Sequence, residues 1–210
     1  MTLRLHRFSV FMLIAALSLP TSGCAYSGGP IKGKVLEEGT DKPLADAIVV
    51  VRWQGTAFSF IESPTVCIHV ESATTDKDGR YRIPAWRASV EPSGVRGIEP
   101  IVTPYKAGYQ WPLRPPESLG GGVQYLRPFT GTREEQLKYL RSLSGKECGS
   151  RDDYARKLIP LYRALYDEAK SIAVTQEEKH IAGGLHYSLD RLELGEDASL
   201  KRLSAGEYEK

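Results

Sequence analysis

Two periods of apolar residues divide the chain near residue 130. In the first half, Ile31, Gly33 and Val35 alternate with Lys32 and Lys34, the two-residue period of a strand with one face in water. The run Ala47-Ile48-Val49-Val50-Val51-Arg52-Trp53 is continuous and β-branched, which predicts a central strand covered on both faces. Between these two, Glu38-Gly39-Thr40-Asp41-Lys42-Pro43 is a polar turn cluster that predicts a hairpin connection. Residues 66–75 read as extended and lead into Asp76-Lys77-Asp78-Gly79, where Gly79 offers the positive φ of a tight hairpin before the alternating Arg80-Tyr81-Arg82-Ile83. The stretch that follows carries Pro92, Pro100, Pro104, Pro112, Pro115 and Pro116, then Gly120-Gly121-Gly122, and predicts loop except around Ile101-Val102. A last strand runs from Val123 to Phe129, with Val123, Tyr125, Arg127 and Phe129 on one face.

From Thr130 the spacing becomes helical. Leu137, Leu140 and Leu143 form a stripe on a helix that Thr132 can cap, with Glu134 and Glu135 at the positive end of its dipole. Ser150 and Asp153 open a longer helix bearing Leu158, Leu161, Leu165, Ala169 and Ile172, which Pro160 is expected to kink near its first turns. Tyr162 and Tyr166 are expected at the rim where this helix meets the sheet. Thr175 and Glu178 make a capping box for a third helix with Ile181, Leu185, Leu189 and Leu192, weakened by Gly183-Gly184. Residues 195–210 read as a polar tail. The pattern is therefore α+β, with strands over 31–129 and a helical region over 130–194.

The N-terminus stands outside this pattern. Arg4 and Arg7 precede a 12-residue apolar run, Phe8 to Leu19, followed by Pro20 and small residues. That is the layout of a bacterial signal peptide over residues 1–23, and the run is shorter than the roughly 20 residues a spanning helix needs. Thr21-Ser22-Gly23-Cys24 resembles a lipobox, although Thr21 stands where an aliphatic residue is usual. It makes Cys24 the expected lipid attachment, with residues 24–30 as a flexible tether; the alternative is plain cleavage after Ala25. Both outcomes export the chain, either anchored to a membrane of the bacterial envelope or free in the periplasm or medium.

Composition adds exclusions. The 210 residues are 41% hydrophobic and 26% charged, which is ordinary for one or two folded domains and rules out disorder as the main state. With 28 basic and 26 acidic residues the net charge is +2, so nucleic acid is not an expected partner. Loss of residues 1–23 removes two arginines and leaves 26 of each sign. In an oxidising envelope, Cys67 and Cys148, 81 positions apart and outside any CxxC spacing, read as a disulfide; free thiols and a metal site are the alternatives.

Three segments together carry a family resemblance. Ile31-Lys32-Gly33-Lys34-Val35, Lys42-Pro43-Leu44-Ala45-Asp46-Ala47-Ile48-Val49 and Thr74-Thr75-Asp76-Lys77-Asp78-Gly79-Arg80-Tyr81-Arg82-Ile83 resemble the carboxypeptidase regulatory-like domain family, as does Tyr105-Lys106-Ala107-Gly108-Tyr109. The resemblance spans residues 31–129, about half the chain. It implies a small prealbumin-like antiparallel β-sandwich used as an accessory module, and it carries no catalytic residue.

Enzyme signatures are sparse. His69 and Glu71 in Cys67-Ile68-His69-Val70-Glu71 are a candidate acid/base pair, with residues 67, 69 and 71 expected on one strand face, but no nucleophile motif accompanies them. His180 and His186 fall on different helix faces. The Asp76-Lys77-Asp78-Gly79 turn lacks the twelfth-position Glu of an EF-hand, since Arg87 stands there. No catalytic residue, metal ligand or cofactor is therefore expected. Candidate binding residues are Tyr109, Trp111, Arg114 and Tyr125, where rings and arginine cluster in a loop-rich stretch. The expected function is a non-catalytic envelope protein, a binding or structural module anchored by lipid, with an envelope protein or glycan as partner. The alternatives are a carbohydrate- or peptidoglycan-binding accessory module, which requires exposed rings in 105–129, and an unrecognised hydrolase or metalloenzyme, which requires a pocket at His69 or near His180 and His186.

Overall fold

The computed structural model describes residues 25–57, 63–89, 94–112, 121–144, 148 and 152–208. The expected signal peptide over residues 1–23, Cys24 and Arg114 lie outside them. The strands are β1 (Ala25–Gly28), β2 (Ile31–Glu37), β3 (Ile48–Ala57), β4 (Thr65–Thr74), β5 (Arg80–Ile83), β6 (Trp86–Ser89), β7 (Val95–Tyr105), β8 (Tyr109–Gln110) and β9 (Gly122–Pro128). The helices are α1 (Arg133–Ser144), α2 (Asp152–Ile172), α3 (Gln176–Leu194) and α4 (Glu196–Ser204). The protein is α+β.

The strands form sheets in the orders β5-β2-β9-β8, β4-β3-β7 and β1-β6. All pairs are antiparallel except β2 with β9, which run parallel in register Gly33↔Gly122 to Glu37↔Leu126. β3 is the central strand the β-branched run predicts, buried along most of its length. Its Val49, Val51 and Trp53 join Val35, Ile68, Tyr81, Ile83 and Leu126 in a core shared by the two larger sheets. Its Val50 faces the other way, with Val70 and Tyr105, onto Leu137, Leu140, Leu158, Leu161 and Leu165 of the helices. Each such leucine, fully buried, contributes about 1.5–3 kcal/mol relative to exposure. The helices thus lie on the outer face of the three-stranded sheet.

Several expectations need correction. Neither polar turn joins two paired strands, because β2 and β3, like β4 and β5, belong to different sheets; the first turn closes only the isolated antiparallel bridge of Leu36 with Pro43. The turns are crossovers; Gly79, at φ 71°, accepts from Val35 N–H at 2.8 Å, so the Asp76–Gly79 turn leans on the neighbouring sheet. Residues 95–105 are strand, not loop: Pro100 and Pro104 sit opposite Trp53 and Val49 in β7, an edge strand that needs only one row of N–H donors. In β9 the buried face is Gln124 and Leu126, leaving Val123 exposed. The tether residues Ala25–Gly28 are instead paired with Trp86–Ser89.

The helical half holds the largest departure. Residues 195–210 are not a polar tail, since α4 follows Gly195 directly and both Ser199 and Tyr208 are buried. Gly183-Gly184 does not interrupt α3, and at Gly183 the reason for glycine is visible: a Cβ there would lie 2.0 Å from the Tyr208 carbonyl oxygen. Tyr162 is core rather than rim, buried with its hydroxyl donating to the Ser144 carbonyl.

Candidate functional site

Cys67 and Cys148 form the expected disulfide, joining β4 to the segment between α1 and α2. Close by, His69 and Glu71 do meet, with His69 Nε2 3.2 Å from Glu71 Oε1. Residues 67, 69 and 71 do not share one face, however. Trp53 pairs with His69 while the next residue, Gln54, pairs with Cys67, so a bulge at Ile68 turns Cys67 toward the helices and leaves His69 beside Trp53.

The surroundings of His69 are those of a packed group. Its ring stacks on Trp86 at 4.2 Å and 16°, lies 5.5 Å from Trp53, and meets Tyr154 edge-on. The other Glu71 oxygen accepts from Lys157 Nζ at 2.8 Å, a bridge from β4 to α2. Tyr154 donates to the Ile68 carbonyl at the bulge. The candidate acid/base pair is therefore built into the joint between sheet and helix, and no nucleophilic side chain points at it among these contacts.

The aromatic segment is likewise turned inward. Tyr105 is buried and donates to Glu168 Oε2 at 2.5 Å and to the Ala164 carbonyl at 3.1 Å. Burial and the Glu168 carboxylate push its hydroxyl well above the usual tyrosine range. Glu168 also accepts from Gly108 N–H at 2.9 Å and Gln136 Nε2 at 2.5 Å, so one carboxylate binds the end of β7, the turn after it, and α1. Tyr109 and Trp111 are half-buried. Tyr109 donates to Glu37 at 2.8 Å, and Trp111 Nε1 to the Pro104 carbonyl at 2.8 Å. Tyr125 is half-buried too, with Asp41 as a hydrogen-bond partner that raises its hydroxyl pKa. The exposed platform of rings that a glycan-binding module requires is not present at these residues.

A cleft does lie in the His180 and His186 region that the hydrolase or metalloenzyme alternative requires, where α2, α3 and the C-terminal segment meet; what the sequence did not give is its wall at residues 207 and 208. The cleft has a volume of about 290 Å³, and its walls include Tyr166, Lys170, Lys179, His186, Glu207 and Tyr208. Tyr166 and His186 stack at 4.4 Å and 8°, and Tyr208 stands edge-on to His186 at 5.1 Å. Behind the wall, Asp190 is buried and accepts from the Tyr208 hydroxyl at 2.6 Å and from Arg202 Nη1 at 2.7 Å. Burial, aided by Arg202 and Lys170, holds the His186 imidazole below its ordinary pKa against the pull of Asp190, 3.8 Å away. His180 lines a separate cleft of about 210 Å³ with Tyr187 and Leu203, on the other side of Tyr208. The signal for this region was present: Gly195 as a break, Glu196 and Asp197 in a first turn, and Lys201 and Arg202 in a last turn compose a short helix.

Among the described residues no group of three or more His, Cys, Asp or Glu could hold a metal, and no helix is long and apolar enough to cross a membrane. No family model and no curated protein matches the chain. Among solved structures the chain is similar to a 9R-lipoxygenase from Cyanothece PCC8801, at 14% identity and a TM-score of 0.27 over 73% of this chain and 26% of that one. The chain thus spans about a quarter of that protein, and a likeness at this level carries no argument about activity.

Proposed function

We propose that this protein is a non-catalytic, exported module of the bacterial cell envelope, a binding or structural component held at a membrane by a lipid on Cys24. The observation that carries the reading is the disulfide between Cys67 and Cys148, which suits an oxidising compartment and agrees with the signal-peptide pattern of residues 1–23. Two further points support it. The candidate acid/base pair is taken up by Lys157 and by stacked rings. The strand half itself is read as a prealbumin-like sandwich of the carboxypeptidase regulatory-like kind, on the segments around Ile31, Pro43 and Gly79 and on the core its two larger sheets share.

Membrane fractionation of a bacterial host producing the wild type and Cys24→Ser tests the anchor. The wild type is expected in the membrane fraction, released only by detergent, and Cys24→Ser in the soluble periplasmic fraction. Wild type recovered without detergent from the periplasm or medium would contradict the anchor, and wild type retained in the cytoplasm would contradict export.

A further inference from the structure

The geometry points to the cleft between α2, α3 and the C-terminal segment as a binding site for a small anion with a flat aromatic body. Charge and shape support this independently. Lys170 comes from α2 and Lys179 from α3, yet both residues line one cavity, and both are exposed. Among the described residues neither is in an ion pair; Lys170 Nζ instead lies over the Tyr166 ring, 5.6 Å from its centre. Arg202 is shared by the two carboxylates nearby, bonding Glu207 through Nε and buried Asp190 through Nη1 at 2.7 Å each, so one carboxylate charge is left to set against the two lysines. The free charge at the cleft is therefore positive.

The shape selects the rest of the ligand. Tyr166 and His186 stack on each other and Tyr208 stands perpendicular to His186, so three aromatic rings border the cleft. Ala173, Ala182 and Gly183 line the cavity with little bulk, leaving about 290 Å³, the small end of the roughly 300–1,000 Å³ that ligand sites occupy. An aromatic ligand meets a cluster of rings edge to face, and the exposed lysines beside them meet its acidic substituent. The smaller cleft on the far side of Tyr208 has no lysine or arginine in its lining, so the same argument does not extend to it.

Occupancy is coupled to His186. The groups facing it are Asp190 and Glu193 on its own helix, Tyr166 and Lys170 on α2, Arg202 on α4, and Glu207 and Tyr208 beyond α4. An anion in the cleft offsets the two cations that disfavour the imidazolium, so a ligand that stays anionic binds more tightly as pH falls through the histidine range.

The site gives the binding reading a location, and it is independent of the lipid on Cys24, so either can fail alone. The test is titration of the ¹⁵N-labelled mature protein with 2-naphthalenesulfonate, a permanent anion, and with neutral 2-naphthalenesulfonamide, followed by amide shifts and calorimetry. Saturable one-to-one binding of the sulfonate is expected, with shifts centred on residues 166–186 and 207–208. In Lys170→Gln/Lys179→Gln its Kd rises about tenfold while that of the sulfonamide stays unchanged. Affinity for the sulfonate increases from about pH 7.5 to 5.5 in the wild type and is flat in His186→Asn. Both lysines are exposed, and unchanged circular dichroism of the double variant keeps the comparison sound. Absence of saturable sulfonate binding, shifts centred elsewhere, or the same Kd in the lysine double variant would overturn the proposal.

Discussion

Buried carboxylates set the seams of this molecule. Glu71, Glu168, Glu178 and Asp190 are each at most 9% exposed, and each is answered by donors from a different element. A carboxylate removed from water is stable only when its lone pairs are occupied, and donors left behind after its removal carry their own desolvation cost. Glu168 shows the consequence most clearly, because Tyr105, Gly108 and Gln136 all donate to it. Glu168→Ala is expected to lower the unfolding free energy by about 3 kcal/mol, read from urea denaturation; a loss below about 0.5 kcal/mol would contradict its role as the joint. Gly183 makes a different residue-scale prediction. A methyl group there must displace the Tyr208 backbone, so Gly183→Ala is expected to cost about 2 kcal/mol and to shift the amide signals around Tyr208, whereas Gly184→Ala, with open space at its Cβ, leaves them in place.

At the scale of elements, the termini of α3 decide how the last two helices stand. Thr175 accepts from Glu178 N–H at 3.2 Å, and Glu178 accepts from Thr175 and Val174 N–H at 2.8 Å and from Arg133 Nε at 2.7 Å. Thr175→Ala is expected to cost about 1 kcal/mol in thermal or urea unfolding. The Thr175 backbone, Arg133 and Val174 hold the Glu178 carboxyl at a pKa of about 2, below its ordinary 4.5. The folded state therefore gains from Glu178 above pH 4.5 and loses that gain as pH falls toward 2. A urea midpoint measured against pH is expected to fall less steeply over this window in Glu178→Gln than in the wild type. Parallel curves would contradict the assignment.

The caps of α1 and α3 were legible because capping chemistry is local, as were β3 and the helical stripes, whose periods are written in consecutive residues. Position relative to distant chain was not. Pro100 and Pro104 suggested loop because nothing in residues 95–105 tells that β7 is an edge strand, with no second neighbour to receive its missing donors. The bulge at Ile68 is a matter of register with β3, so the face of Cys67 could not be read from alternation alone. The crossovers at Gly39 and Gly79 carry hairpin chemistry, yet β2 finds its partners in β5 and β9 instead of β3. One side of the cleft at His186 lay hidden for a related reason: it is closed by residues 207 and 208, whose polar surroundings masked the burial of Tyr208.

The whole molecule is an α+β unit in which a sheet sandwiched between two apolar cores is joined to its helices by one disulfide, the Lys157–Glu71 bridge and hydrogen bonds of Glu168 and Tyr154. In the chain-entropy account, a crosslink closing a loop of 81 residues stabilises the fold by about 4–5 kcal/mol. Cys67→Ser/Cys148→Ser is accordingly expected to unfold at a markedly lower urea concentration, and an unchanged midpoint would remove the staple from the account. The proposed export and anchoring unite the disulfide with the N-terminal pattern, and one measurement addresses both. Intact mass spectrometry of the protein purified from membranes of a bacterial host, with thiols alkylated before and after reduction, is expected to give a chain beginning at Cys24 with acyl mass added and no alkylation until reductant is present. A chain beginning elsewhere without acyl mass, or Cys67 and Cys148 alkylated without reduction, would contradict it.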